Sequence, residues 1–552
     1  MKKRVLSALA IWGGLLILSA ICVGAGVWQL RSAADTLRSD NLTQRDVQDF
    51  ASKIKWSNVF LKSVRYNPGA QILRLVPGIS WAPQAVSTGS RVVSEVHSVL
   101  ENGGSEMLQT ALSGELTPEP GAIDVASAVD VARNAQRVDD RISGLRSEIS
   151  KLNGLRIPGV DGSRIDAAVI KATDYLDLAE SAVAAMKQLP QLIGGDAKVR
   201  YFVGITNEAE LRGIQGIIGE FAIVEIDQGK ISVSRTGSNT DLVNPNALPE
   251  ELIGDYSSVY GATNTEWQNV SLSPFLDPAA LQITSAWKLQ TGESLNGVIL
   301  LDTVALAKWA IPKVGNVESA QGRKLETWEA LADYLSNGIY FEFPTDQFAR
   351  KKFQSELAGK LVATITGSSL EPQELIRNLA KPMADGRIVA WLNGKLGAEF
   401  NDTLLARSSK NLSDDIVIGF NNFSGNKMDF YLRIGAKADS CDTLDLTFTS
   451  TADSKVKYPD YLARRLDVVG EAKIGSFLGV NAIFPQGIDV LSVNEMGKTI
   501  PFDIFVQDGN RTLVRTMVEI PVGETREFTY VLDSSPSCTD RRIRLSPVRL
   551  EN

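Results

Sequence analysis

The 552-residue sequence predicts a multidomain protein: an N-terminal transmembrane helix, a helical bundle or stalk, a central α/β (α+β) domain and a C-terminal β-sandwich. Three observations predict it. Residues 5–30 carry no charged side chain, apolar residues between 125 and 188 recur at three- and four-residue intervals, and after residue 439 that period gives way to alternation. The chain is too long for one hydrophobic core, and at about 100 to 200 residues per domain it should form three units beyond the apolar segment.

The first element is a short tip, residues 1–4, followed by the apolar run at 5–30. At about 1.5 Å per residue, such a helix exceeds the roughly 30 Å of bilayer hydrocarbon. A cleavable signal has a shorter apolar region; Gly24-Ala25-Gly26 keeps that alternative open, and a retained anchor is the preferred reading. Lys2, Lys3 and Arg4 place the tip in the cytoplasm under the positive-inside rule. The expected localisation is therefore the cell membrane, single-pass, with the bulk of the chain extracytoplasmic. Ile21 before Cys22 fits a lipoprotein site poorly, so Cys22 reads as a small apolar residue of the helix.

Residues 31–190 read as the helical stalk. Val125, Val129, Ala132, Ala135, Val138, Ile142, Leu145, Ile149 and Leu152 share one face, and Arg133, Arg137, Asp140 and Arg146 take the other. A second helix runs through Ile165, Val169, Ala172, Leu176, Ala179 and Val183, and Pro190 with Gly194-Gly195 marks its end.

Residues 191–434 read as the α/β domain. Arg200-Tyr201-Phe202-Val203-Gly204-Ile205 is a buried-strand run, and Asp227-Gln228-Gly229-Lys230 is hairpin chemistry between two further strands. Gly297 to Asp302 is another strand, with helices over 303–311, 325–337 and 345–365. Because the helices follow the hairpin, a purely parallel sheet is not expected.

Residues 435–552 read as the sandwich, from alternation at Leu444, Leu446 and Phe448, at Phe502, Ile504 and Val506, and at Phe528, Tyr530 and Leu532. Cys441 and Cys538 bracket this region. A disulfide between them would contribute on the order of 4 to 5 kcal/mol in the chain-entropy model; two buried free thiols are the alternative.

Composition narrows the chemistry. A formal charge of -8 argues against bulk nucleic-acid binding, which needs a basic face. His97 is the only histidine and lies in a helical stretch, which excludes most zinc sites and makes a histidine-based hydrolase improbable. Chemistry would then fall to carboxylates, Lys or Arg with a hard cation. There is no G-x-x-x-x-G-K-[ST] loop, and Gly213, Gly216 and Gly219 precede a strand, so they read as a tight bend.

One polar constellation stands out. It comprises Asn207-Glu208-Ala209-Glu210-Leu211-Arg212 after the first strand, Arg235 after the hairpin, and Asp346, Arg350, Lys351 and Gln354 on one helix. Asp346, Arg350 and Gln354 are spaced by four and share a face. Guanidiniums at strand ends suit a pyrophosphate, because each makes paired charge-assisted bonds. An ordinary Asp346–Arg350 surface ion pair is the competing reading, and spacing alone favours it.

The run from Tyr201 to Arg212, continuing through Gly216-Ile217-Ile218-Gly219-Glu220-Phe221, resembles the signature of the bacterial domain-of-unknown-function family numbered 4012. Gly297 to Asp302 with Leu306, Asn421 to Arg433, and Tyr458-Pro459-Asp460-Tyr461-Leu462 follow in the expected order, so the resemblance extends over nearly the whole chain. It implies an actinobacterial-type cell-envelope protein of undetermined activity.

Residues 199–366 are more weakly similar to the LytR-CpsA-Psr phosphotransferases, which move polyprenyl-pyrophosphate-linked glycopolymers onto peptidoglycan with magnesium. Ile217-Ile218-Gly219-Glu220 stands where that family has an arginine and an aspartate, and Thr236 replaces an acid. The resemblance implies a central domain of that fold. It carries over to Arg235, Arg350 and Gln354. Together with the polar constellation, the expected site has Arg235, Asp346 and Arg350 as catalytic residues, Arg212, Lys351 and Gln354 as substrate contacts, and Glu210 as a ligand for Mg²⁺. The expected function is binding or transfer of such a glycopolymer, with lipid-linked glycan or peptidoglycan as partner. The alternative is a non-catalytic envelope scaffold.

Overall fold

The computed structural model describes residues 22–549 except 24, 26, 34–42, 68–69, 72–80, 154, 159–160, 243–254, 262–265, 369–377, 380, 441, 470–472, 508–510 and 535–541. Within these residues the chain forms two compact units, one up to Gly195 and the other from Asp196 onward.

The first unit is helical: α1 (Gln44–Arg65), α2 (Trp81–Val99), α3 (Ser105–Ser113), α4 (Val125–Ser150) and α5 (Gly162–Lys187). Asp124 caps α4 by accepting from the Ser127 N–H at 2.7 Å, and Asp161 caps α5 through Ser163. Ala135, Val138, Ile142 and Ile149 of α4 pack on Val169, Leu176 and Val183 of α5. Arg146 bridges to Asp177 at 2.6 Å and to Glu180 at 2.7 Å, and Lys187 reaches Asp139 at 2.6 Å. Those pairings are possible only if α4 and α5 run antiparallel. His97 on α2 faces Glu101 at 3.3 Å, and burial holds its pKa below the usual histidine value.

The N-terminal expectation is corrected. Most of residues 5–30 lie outside the described residues, and among the described residues no helix is long and apolar enough to cross a membrane. The described end of that stretch, with Leu30 and Ala33, packs against Ile54 and Leu61 of α1 and Val93 of α2. Leu30 and Ala33 there serve a helix–helix core, while Val27 and Trp28 are exposed. The fold is a mixed helix-and-sheet protein with several sheets. The transmembrane helix and the single-pass membrane localisation are not supported.

The second unit begins with a sheet of β1 (Val199–Leu211), β2 (Gly216–Asp227), β3 (Lys230–Ser238), β4 (Gly297–Asp302) and β7 (Ile388–Leu392), in the order β3-β2-β1-β4-β7. Only β1 and β4 run parallel; the other pairs are antiparallel. The turn from β2 to β3 places Gln228 at φ 48° and Gly229 at φ 78°, as a two-residue hairpin of this twist requires. A small ribbon of β5 (Val317–Glu318) and β6 (Lys324–Leu325) lies apart from the sheet.

Strand alternation gives the sheet two apolar faces. Phe202, Phe221, Ile223, Val298, Leu300 and Trp391 pack on α6 (Leu276–Thr291). Ile205, Ala222, Val224, Leu301 and Ile388 pack on α7 (Thr303–Val314) and α8 (Gln347–Thr366).

Two five-stranded sheets complete this unit. One has β9 (Leu432–Ser440), β10 (Thr443–Ser450), β12 (Ile488–Glu495), β13 (Lys498–Ile500) and β16 (Thr525–Ser534). The other has β8 (Ile416–Asn422), β11 (Ser476–Phe484), β14 (Asp503–Gln507), β15 (Arg511–Ile520) and β17 (Ile543–Leu545). Phe420, Val480, Phe484 and Val514 of one interleave with Leu446, Phe448, Phe528 and Tyr530 of the other in one core. The first sandwich strand therefore starts at Ile416, ahead of the division expected at 434. Cys441 and Cys538 lie outside the described residues.

β1 is the longest strand of the central sheet and outruns it. Its pairing with β2 shifts register after Ile205 and again after Asn207, and Leu211 at its end belongs to the sandwich core. Gly213 sits where β1 turns back: its N–H donates to Asn421 Oδ1 at 2.9 Å, and a Cβ there would overlap the Leu272 carbonyl. At Gly219 the nearest atom to a built Cβ is 4.0 Å away. Gly213→Ala should therefore cost on the order of 3 kcal/mol by urea denaturation, and Gly219→Ala less than about 1 kcal/mol. Equal losses would refute this account of the bend.

Candidate functional site

A cavity of about 400 Å³ opens between the end of β1, α7, α8 and the segment that follows β8. Of the residues singled out from the sequence, Glu210, Arg212, Arg350, Lys351 and Gln354 all line it. So do Glu220, Tyr340, Lys427 and Tyr461.

The polar run expected after the first strand is, from Asn207 to Leu211, the last part of β1 itself, with Arg212 just beyond its end. Glu210 lies between two cations: Oε1 accepts from Arg212 Nη2 at 2.8 Å, and Oε2 accepts from Lys427 Nζ. All three are buried. Arg212 also donates to the backbone carbonyls of Leu211, Gln268 and Asn422.

Asp429 lies behind them and accepts from the Leu211 N–H, Asn422 Nδ2 and Ser476 Oγ at 3.0, 2.7 and 2.7 Å. Burial pushes Arg212 down to about 10 and Lys427 down to about 8, with the Asp429 charge opposing both. Burial raises the Asp429 carboxyl, and its hydrogen bonds pull it back.

Arg350 is the contrasting group. It is 1% exposed, yet its Nε and Nη1 have no hydrogen-bond partner among the described residues. Its Cζ stands 3.9 Å from the Tyr461 ring centroid and 4.8 Å from that of Tyr340. The two tyrosines stack at 5.8 Å. Cation–π contact partly offsets the burial of this charge but leaves its N–H donors unused.

Lys351 follows on the same helix, and burial lowers its pKa. Glu220 on β2 accepts from Ser355 Oγ, and burial pushes its carboxyl up to about 8 despite that bond and the nearby Lys351. At neutral pH the wall is therefore strongly cationic: Arg212, Arg350, Lys351 and Lys427 face one ionised carboxylate and one that is largely protonated.

Two expected residues are placed elsewhere. Asp346 is exposed and caps α8, accepting from the Ala349 N–H at 2.9 Å, while Arg350 turns inward. Arg235 is exposed on the other face of the sheet, its Cζ 5.3 Å from the Trp287 ring centroid. The expected Mg²⁺ site also fits poorly. Both Glu210 oxygens are engaged by cations, Glu220 holds its proton, and among the described residues no cluster of three His, Cys, Asp or Glu side chains suits a metal.

Lys427 and Tyr461 were present in the motifs quoted from the sequence without a role, and Tyr340 was in none. The usable signal was the acid density in an otherwise apolar strand: Glu208 and Glu210 at alternate positions.

Residues 196–340 match the family described as protein of unknown function (DUF4012), which supports that family for this stretch. The match is narrower than the sequence resemblance implied. It takes in Glu208 to Glu220 and Tyr340, while Arg350, Lys351, Gln354, Lys427 and Tyr461 lie beyond it. No curated protein matches the chain.

Two substitutions separate the tied charges from the free one. Glu210→Ala should destabilise by about 3 to 5 kcal/mol, because it strands two buried cations. Arg350→Met should stay within about 1 kcal/mol of the parent in the absence of ligand, since only ring contacts are lost. Chemical denaturation of both variants checks this; a larger loss for Arg350→Met would mean that the guanidinium is structural.

Proposed function

We propose that this cavity binds the pyrophosphate of a polyprenyl-pyrophosphate-linked glycopolymer. The carrying observation is Arg350, a buried guanidinium with two N–H-bearing nitrogens left for a ligand. A buried donor without a partner costs about 1 to 3 kcal/mol, more when charged, and an anion in the cavity would remove that cost. Lys351 and the net positive charge of the Glu210 triad, in which Arg212 and Lys427 are paired, add to the attraction for a diphosphate. Ile205, Ile217, Leu306 and Leu335 supply an apolar wall, which suits the first units of a prenyl chain.

The resemblance of residues 199–366 to the LytR-CpsA-Psr phosphotransferases points to the same ligand class. Of the expected site residues, Arg212, Arg350, Lys351 and Gln354 remain in this reading; Arg235 and Asp346 do not, because they lie away from the cavity. A second reading, a non-catalytic scaffold, draws on Glu210: the acid expected to hold a metal is spent on an ion-pair triad.

Farnesyl-diphosphoryl-N-acetylglucosamine is a suitable probe, because its diphosphate diester stays fully ionised across the neutral range. Calorimetry should show binding, weakened roughly 10- to 100-fold in Arg350→Met. The pH dependence follows from two groups. As pH rises through about 8, Lys427 loses positive charge and Glu220 gains negative charge, so both changes oppose the anion. Affinity should fall at least roughly tenfold from pH 7 to pH 9. No binding by the parent protein, or binding indifferent to Arg350, would remove this reading.

A further inference from the structure

Next to the cationic wall is a second polar group that anion binding does not use. Thr303, the first residue of α7, lines the same cavity. Its Oγ1 lies 2.7 and 2.9 Å from the two carboxyl oxygens of Glu208, and 2.7 Å from Ser336 Oγ, which is itself 3.3 Å from Glu208. Glu208 is 0% exposed.

Two hydroxyls, those of Thr303 and Ser336, donate to its carboxyl, while the nearby Arg387 is bound at 2.6 Å to the neighbouring Asp302. Asp302 in turn caps α7 through the Ala305 N–H. Burial and the Asp302 charge raise the Glu208 carboxyl, with Thr303 and Arg387 opposing. A carboxyl in the core beside a second carboxylate is a poor stabilising device, because apolar packing of the same volume serves at least as well. It is a good proton acceptor.

We propose that Thr303 and Glu208 form a proton relay that activates a hydroxyl nucleophile against the bound diphosphate. The inference rests on the binding reading above and adds a reaction to it. The acceptor is a carbohydrate hydroxyl, for which water can stand in. Its oxygen bonds to the sugar-bearing phosphorus, and its proton passes to Thr303 Oγ as the Thr303 proton passes to Glu208. The bridging P–O bond breaks, and prenyl monophosphate leaves with the electron pair. No oxidant, reductant or further co-reactant is needed. Thr303 would be the catalytic residue and Glu208 the positioning residue behind it, with the cations of the wall balancing the charge that develops on the phosphate oxygens.

The test uses the full chain with farnesyl-diphosphoryl-N-acetylglucosamine, following farnesyl phosphate release chromatographically and binding by calorimetry. The parent protein should bind and release farnesyl phosphate. Glu208→Gln should bind within about threefold of the parent while kcat falls about 100-fold, and the acid limb of its pH–rate profile should disappear. Thr303→Val should lose kcat similarly, and Thr303→Ser should restore it to within about threefold. Should Glu208→Gln fail to fold, the Thr303 pair carries the test. Binding without release, or unchanged kcat in Glu208→Gln or Thr303→Val, would overturn the relay and leave the binding reading intact. Absence of binding by the parent protein would overturn both.

Discussion

The Glu210 triad is the interaction on which the second unit depends. A strand that ended with the central sheet would stop near Ile205, where the regular pairing with β2 first breaks. Instead β1 continues to Leu211, placing an acid between Arg212 and Lys427 and an apolar side chain in the sandwich core. Three buried charges are tolerable only when each is paired and hydrogen-bonded, so the triad fixes where the chain after β8 must lie. Asn421 and Asn422 at the end of β8 and Asp429 beyond it complete the bonding of the β1 end. One covalent strand thus links a sheet flanked by helices to a β-sandwich, and the cavity forms where they meet.

The same arrangement separates charge that holds the fold from charge left for a ligand. Glu210, Arg212 and Lys427 satisfy one another, whereas Arg350 is held by tyrosine rings with donors to spare. Rings orient a guanidinium without consuming its hydrogen-bonding capacity. Glu220, bonded to Ser355 of the same helix as Arg350 and Lys351, is kept largely protonated by burial and so does not cancel the positive charge. The cavity is basic although the whole chain carries a charge of -8, because four basic side chains converge on it while burial holds Glu220 largely protonated.

Much of the architecture was legible in periodicity. The stripes that predict helices over 125–152 and 163–188 correspond to α4 and α5, and the Asp227–Lys230 hairpin forms where its turn residues lie. The N-terminal apolar run shows the limit of such reading: hydropathy reports that side chains avoid water, and Leu30 and Ala33 do so against α1 and α2. The stretch 207–212 read as lying beyond the first strand for a related reason. Burying Glu208, Glu210 and Arg212 in a strand is prohibitive unless partners exist, and those partners lie 95 residues away for Glu208 and 217 for Glu210.

The sequence by itself determined the alternation that gives the central sheet its two apolar faces, the caps at Asp124, Asp161 and Asp346, and a set of basic and acidic residues suited to phosphate. Those are local properties, set by side-chain direction and by backbone groups a few residues apart. Only the tertiary structure decided which of these charges are spent and which are free. Arg235 on a strand and Arg350 on a helix carry the same side chain and drew the same expectation. One lies exposed over Trp287, and the other is buried beside Tyr461 with unused donors, because pairing depends on contacts that no local pattern encodes.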